Sequence, residues 1–116
     1  MYNYKYLNPD QCEFIAVASK QELPKGERLF VEIDDKTIVM FNIDEEIFAI
    51  ADVCSHDDGP LGDGNLDGFE IKCPRHGASF DVRTGRVLSL PAIVDIPAYP
   101  VRITNGQIEI GIPIDR

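Results

Sequence analysis

The chain has 116 residues, 44% apolar and 27% charged, which suits one globular domain (1–116) with a real core and leaves too little for two. Twenty Asp and Glu against 11 Lys and Arg give a net charge of −9, which speaks against a nucleic-acid backbone as partner and makes a basic protein surface the natural complement. No apolar run approaches the roughly 18 residues a membrane span needs, and Met1-Tyr2-Asn3-Tyr4-Lys5-Tyr6 lacks the basic start and apolar stretch of a secretory signal, so the expected compartment is the cytoplasm.

Residues 1–11 read as a polar amino-terminal extension in which Tyr2, Tyr4 and Tyr6 alternate; an edge strand and an extended arm lying on the body both fit. Residues 14–18 are a short apolar run with polar borders, the first strand. Residues 19–26 hold Leu23-Pro24 and a glycine, hence a loop or a single helical turn. The β-branched and aromatic runs 29–33, 37–43 and 47–50 are split by Asp34-Asp35-Lys36 and Asp44-Glu45-Glu46, the pattern of a three-stranded meander. Gly62, Gly64 and Gly68 mark irregular chain before a strand over 69–72. Strands over 78–82 and 86–88 flank a turn at Arg83-Thr84-Gly85. The last element is a hairpin, 101–104 and 107–110 about Asn105-Gly106, whose register sets Ile103 opposite Ile108 and Arg102 opposite Glu109, apolar residues on one face and an ion pair on the other. Helical spacing of apolar residues appears nowhere over a useful length, so the fold class is all-β: an antiparallel β sandwich or partial barrel with loops inserted at one end.

Those loops carry the chemistry. Cys54-Ser55-His56 and, after a spacer of sixteen residues, Cys73-Pro74-Arg75-His76 each offer one thiolate and one imidazole. In both, the short soft ligand precedes the longer imidazole by two or three residues, an order that suits two adjacent irons, sulfurs on the inner and rings on the outer. Two Cys and two His are also a common zinc set, so a structural zinc site competes on ligand types alone. The third cysteine, Cys12, near the start of the first strand, reads as a plain buried or half-exposed thiol, and nothing suggests a disulfide framework.

The Cys-x-His and Cys-x-x-His pairs, with Gly59-Pro60-Leu61 after the first and His76-Gly77-Ala78-Ser79-Phe80-Asp81 and Thr84-Gly85 after the second, resemble the Rieske iron-sulfur proteins, over residues 14–110. The resemblance implies a Rieske-like fold with two cluster-binding loops at one end. It further implies a [2Fe-2S] cluster with Cys54 and Cys73 on one iron and His56 and His76 on the other. A proline-bearing loop covers one side of the cluster in the family, and Pro91 would take that part. The implied function is that of a soluble Rieske-type ferredoxin. As a one-electron carrier it would be supplied by a flavoprotein reductase and would deliver to a terminal oxygenase or similar acceptor, chiefly across the imidazole edges. The small Rieske-like subunit of a nitrite reductase is the alternative within the family, although there the cluster ligands are often absent. An independent oxygenase would need two more histidines and a carboxylate with open metal positions, and this chain has two histidines in all. No Ser-His-Asp or Cys-His set can be assembled for the same reason, so the chain is expected to serve an enzyme rather than be one.

Two neutral imidazoles in place of two thiolates make the centre less negative and easier to reduce. Plant-type centres near −400 mV and the low end of the Rieske range differ by about 250 mV, roughly 6 kcal/mol per electron. High-potential members of the family carry a disulfide between the loops and a serine and a tyrosine hydroxyl toward the cluster. The matching positions here are Gly59, Arg75, Ala78 and Phe80. Without those hydroxyls, and with Asp57 and Asp58 beside His56, the expected midpoint lies at about −150 to −50 mV. Arg75 stands where many ferredoxin-type members have tryptophan, and reads as a docking or potential-raising cation or as a solvated surface arginine.

Overall fold

The computed structural model describes residues 8–114; the alternating tyrosines fall on residues 1–7, outside the described residues. Among the described residues there are eleven strands: β1 (Cys12–Ser19), β2 (Arg28–Ile33), β3 (Lys36–Ile43), β4 (Glu46–Ala51), β5 (Asn65–Asp67), β6 (Glu70–Lys72), β7 (Ser79–Asp81), β8 (Val87–Ser89), β9 (Ala98–Tyr99), β10 (Val101–Thr104) and β11 (Gln107–Pro113). Among the described residues there are also two 3-10 turns, Pro9–Gln11 before β1 and Lys20–Glu22 between β1 and β2, the second lying where a loop or a single helical turn is expected. No helix among the described residues is long and apolar enough to cross a membrane.

The strands form three antiparallel sheets, β1-β11-β10, β2-β3-β4-β9 and β5-β6-β7-β8. The expected all-β antiparallel fold is therefore present, but as three layers. The middle sheet explains why β3 and β4 read as near-continuous apolar runs. Successive side chains of a strand point to opposite faces; Ile38, Met40, Ala49 and Ala51 pack against Ile108, Ile110 and Ile112 of the first sheet, while Val39, Phe41 and Ile50 pack against Ile71, Phe80 and Val82 on the third-sheet side. Each large side chain buried this way contributes about 1.5–3 kcal/mol, so both faces of β3 are committed and its register with β2 and β4 cannot slip.

Three hairpins close on two-residue turns with both central residues at positive φ: Asp34-Asp35, Asp44-Glu45 and Asn105-Gly106. Only the last has the composition that such turns favour. Its register is as expected, Ile103 against Ile108 and Arg102 against Glu109, and Arg102 Nε donates to Glu109 Oε1 at 2.5 Å. The two faces are as expected, with the apolar one unevenly covered. Ile103, on the edge strand β10, is 45% exposed while its partner Ile108 is buried, and on the other face the Arg102 guanidinium lies 4.1 Å from the centre of the Phe14 ring, so the ion-pair face is partly apolar.

The chain runs from β4 into the first cysteine loop and from β6 to β7 through the second, which is the hairpin loop between Lys72 and its partner Ser79. Both loops therefore emerge where the middle and third sheets meet. β5 and β9, three and two residues long, are absent from the sequence reading.

Candidate metal centre

The two cysteine loops are closed by the same backbone hydrogen bonds. In the first, Cys54 N donates to Gly59 O at 2.8 Å and Asp58 N to Cys54 O at 2.7 Å; in the second, Cys73 N donates to Ala78 O at 2.6 Å and Gly77 N to Cys73 O at 3.1 Å. The fifth residue of each takes positive φ, Asp58 at 61° and Gly77 at 78°. Asp52 anchors the base of the first loop, its Oδ1 accepting from Leu61 N at 2.8 Å and Gly62 N at 2.6 Å. Arg28 clamps the chain just beyond, Nη1 donating to the carbonyls of Gly62 and Gly64.

This frame brings the two cysteines together, with Asp57 rather than a histidine as the third ligand-type group within 4.8 Å, and brings the two imidazoles against each other. Cys54 and Cys73 are buried, within the apolar cluster that includes Leu61, Ile71, Ala78 and Phe80. His56 and His76 are exposed, their rings meeting edge to face with centroids 5.0 Å apart. Sulfur lies inside and nitrogen outside, as the order within each loop suggests.

The sulfurs sit in one electrostatic environment. Burial is the largest influence on Cys54 and raises its pKa. Burial also raises Cys73, but the backbone N–H groups of His76 and Arg75 and the neighbouring sulfur outweigh it, so the Cys73 thiol is held below its ordinary value. Amide donors aimed at sulfur favour the thiolate, the form that binds metal. The third thiol, Cys12, is half-buried, and burial raises its pKa, consistent with an inert residue.

The ligating atoms of Cys54, Asp57 and Cys73 lie within 4.8 Å of one another, which makes Asp57 a formal candidate ligand. Its carboxylate is already engaged. Arg75 Nε donates to Asp57 Oδ2 at 2.6 Å and Nη2 to Oδ1 at 2.9 Å, while Gly59 N donates to Oδ1 at 3.0 Å. The Arg75 guanidinium, followed by the Gly59 N–H, holds the Asp57 carboxyl well below the usual carboxylate range. Sequence reasoning treated Asp57 as a free negative charge and Arg75 as a docking or solvated cation; the structure pairs them with each other. An Asx turn at Asp57-Asp58-Gly59 is visible in the residues, but the partner 18 positions away is not.

Pro91 lies in the segment between β8 and β9, where the resemblance implies a covering loop. The Ser55 hydroxyl of the first cysteine loop donates to the Val94 carbonyl, so this segment is tied to the site. Leu90 and Ile93 are 75% and 77% exposed upon it.

Residues 13–100 match the family described as the Rieske [2Fe-2S] domain. The chain is 37% identical over 95 residues, 82% of its length and 91% of the relative's, to the ferredoxin component of the naphthalene 1,2-dioxygenase/salicylate 5-hydroxylase systems of a Ralstonia species. It is similar in structure to the ferredoxin of carbazole 1,9a-dioxygenase from Nocardioides aromaticivorans IC177, with a TM-score of 0.79 and 29% identity over 87% of this chain and 98% of that one. A chain in the complex of reduced oxygenase and oxidized ferredoxin of carbazole 1,9a-dioxygenase gives a TM-score of 0.77 and 26% identity over 84% of this chain and 92% of that one. The chain belongs to the Rieske [2Fe-2S] family. The cofactor of that family is a [2Fe-2S] cluster, and the donor set suits it: two buried sulfurs facing amide N–H groups and two imidazoles at the surface.

Proposed function

We propose that this chain, as one domain of 116 residues, is the ferredoxin component of an aromatic-ring dioxygenase system. It takes single electrons from a flavoprotein reductase and delivers them to a terminal oxygenase, in the cytoplasm. Cys54 and Cys73 hold the inner iron and His56 and His76 the outer iron of the [2Fe-2S] cluster. When bound, the cluster supplies a reversible one-electron centre.

The observation that carries this reading is the pair of imidazoles at 5.0 Å on the exposed side of two buried cysteines. The buried cysteine side keeps water from the sulfurs; the imidazole edges are the part of the site that a partner protein can touch. No further histidine is present to build a substrate-activating metal site, and the relatives are carriers in systems whose oxygenase is a separate component.

The surroundings set the potential. Ala78 and Phe80 are fully buried beside the cysteines and bring no hydroxyl to them. Losing two donors worth about 1 kcal/mol each lowers the potential on the order of 90 mV. Pairing with Arg75 removes the Asp57 charge from that balance. The expected midpoint stays at about −150 to −50 mV.

Reconstitution tests the reading. Anaerobically prepared protein should contain inorganic sulfide and iron in equal amounts, and should restore oxygenase turnover when placed between a reductase and a terminal oxygenase. Retention of a Rieske-type spectrum by His56→Ala or His76→Ala protein would remove the ligand assignment, and metal without sulfide would favour zinc.

A further inference from the structure

We propose that Arg75 and Asp57 form a latch across the two cysteine loops, a pair of positioning residues that fixes the spacing of the His56 and His76 rings. The proposal rests on the ligand reading above. Arg75 belongs to the second loop, yet three of its donor contacts lie on the first: Nε and Nη2 to the Asp57 carboxylate at 2.6 and 2.9 Å, and Nη1 to Pro60 O at 2.7 Å. A planar fork on a carboxylate fixes orientation as well as distance, which a lysine would not.

The first loop is shaped to receive the guanidinium. A Cβ at Gly59 would stand 2.7 Å from Arg75 Cζ and Nη2, so any side chain there would displace the fork. Asp57 is held ready by the Gly59 N–H on Oδ1, which also accepts from Arg75.

Position in the chain decides what the latch controls. Asp57 follows His56 directly and Arg75 precedes His76 directly. Among the described residues, no backbone hydrogen bond joins 54–60 to 73–78; each loop closes on itself. Beside the imidazoles the loops are thus joined by side chains: the Arg75 fork, and a longer approach of His76 Nε2 to the same Asp57 carboxylate at 3.7 Å. Exposed ion pairs generally add little to stability, but the Arg75–Asp57 pair has side chains only 34% and 23% exposed, and its role is to set a spacing rather than to hold the fold.

The test compares wild-type holoprotein with Arg75→Met, Arg75→Lys, Asp57→Asn and the Asp57→Asn/Arg75→Met double variant. The rate of iron loss to an excess of chelator is followed by the visible spectrum, and the reduced-state electron paramagnetic resonance line positions are recorded. Arg75→Met and Asp57→Asn should each lose iron about tenfold faster, and the double variant about tenfold rather than a hundredfold, because one connection is being removed. Both single variants should show the same displaced resonance lines, with Arg75→Lys in between. Arg102→Met, which breaks an ion pair on the distant hairpin, should match wild type in rate and lines. The latch is overturned by wild-type rates and lines in Arg75→Met, by multiplicative effects in the double variant, or by equal acceleration in Arg102→Met. The ligand reading fails separately, if wild-type protein holds no acid-labile sulfide.

Discussion

Segments 54–59 and 73–78 have one backbone form and two sequences. Each closes with an amide of its cysteine on a carbonyl five residues on, and with the cysteine carbonyl accepting from the residue four on. Each turns at positive φ on that same residue. Yet the imidazole stands two residues after the cysteine in the first and three after it in the second. The frame therefore places the sulfurs alike, and the one-residue offset lets the two rings arrive edge to face instead of stacked. The loops differ in support. The second is a plain hairpin loop between β6 and β7; the first leaves β4 with no partner strand and is held by side chains, Asp52 at its base and Ser55 on the Val94 carbonyl.

Equivalence at the sulfurs predicts the largest effect. Cys54→Ala and Cys73→Ala should each abolish cluster binding to the same extent, read as loss of acid-labile sulfide and of visible absorbance, because each sulfur holds the same iron in the proposed assignment. A variant of either that kept its sulfide would break the symmetry of the pair.

The turn residues sharpen the comparison. Gly77 at φ 78° has nothing within 4 Å of where a Cβ would lie, so Gly77→Ala tests backbone strain alone and should lower unfolding stability by about 1–2 kcal/mol. Asp58 takes the same conformation at φ 61° with a side chain. Asp58→Gly should be neutral or stabilising by about 0.5 kcal/mol, since relief of strain is partly offset by the freer unfolded chain. Denaturant titration of both variants would show whether the two positions are the same in energy as they are in form.

Support separates the loops again. Removing the Ser55 hydroxyl leaves the Val94 carbonyl without its donor, and Ser55→Ala should cost about 1 kcal/mol. It should also loosen the segment that bears Pro91, readable as faster amide exchange at 92–95.

Much of this was legible because it is local. The candidate ligand residues, the meander and the Asn105-Gly106 hairpin follow from spacing, β-branched runs and turn chemistry within a few positions. The layer arrangement was not read from the sequence: alternate residues of 38–41 serve different cores, which makes that run a strand covered on both faces. The short strands β6, β7 and β8 sat in readable apolar runs, whereas β5 lies among Gly62, Gly64 and Gly68 and β9 between Pro97 and Pro100, where turn signals hid them. Arg75 was misjudged because its meaning lies in Asp57 and Gly59, residues brought beside it only when both loops are closed.

The smallest expected effect concerns pH and a second Arg–Asp pair with the same fork but no role between loops. Arg83 donates to Asp81 through Nε at 3.0 Å and Nη2 at 2.9 Å, two residues away within one turn. Burial raises the Asp81 pKa, but the Arg83 hydrogen bonds outweigh it and the carboxyl is held below its ordinary value of 3.8. A depressed carboxyl pKa adds stability that is complete above the unfolded value and is lost as pH falls through the folded one. Melting temperature measured from pH 6 downward should therefore decline below about pH 4, and the decline should be shallower in Asp81→Asn. Asp57 is depressed in the same direction, with the Arg75 fork as its largest cause, so Asp57→Asn should flatten the same limb. The two variants part in their effect on the centre: Asp57→Asn should hasten iron loss at pH 7 and Asp81→Asn should not, since the Asp81 fork closes a single turn.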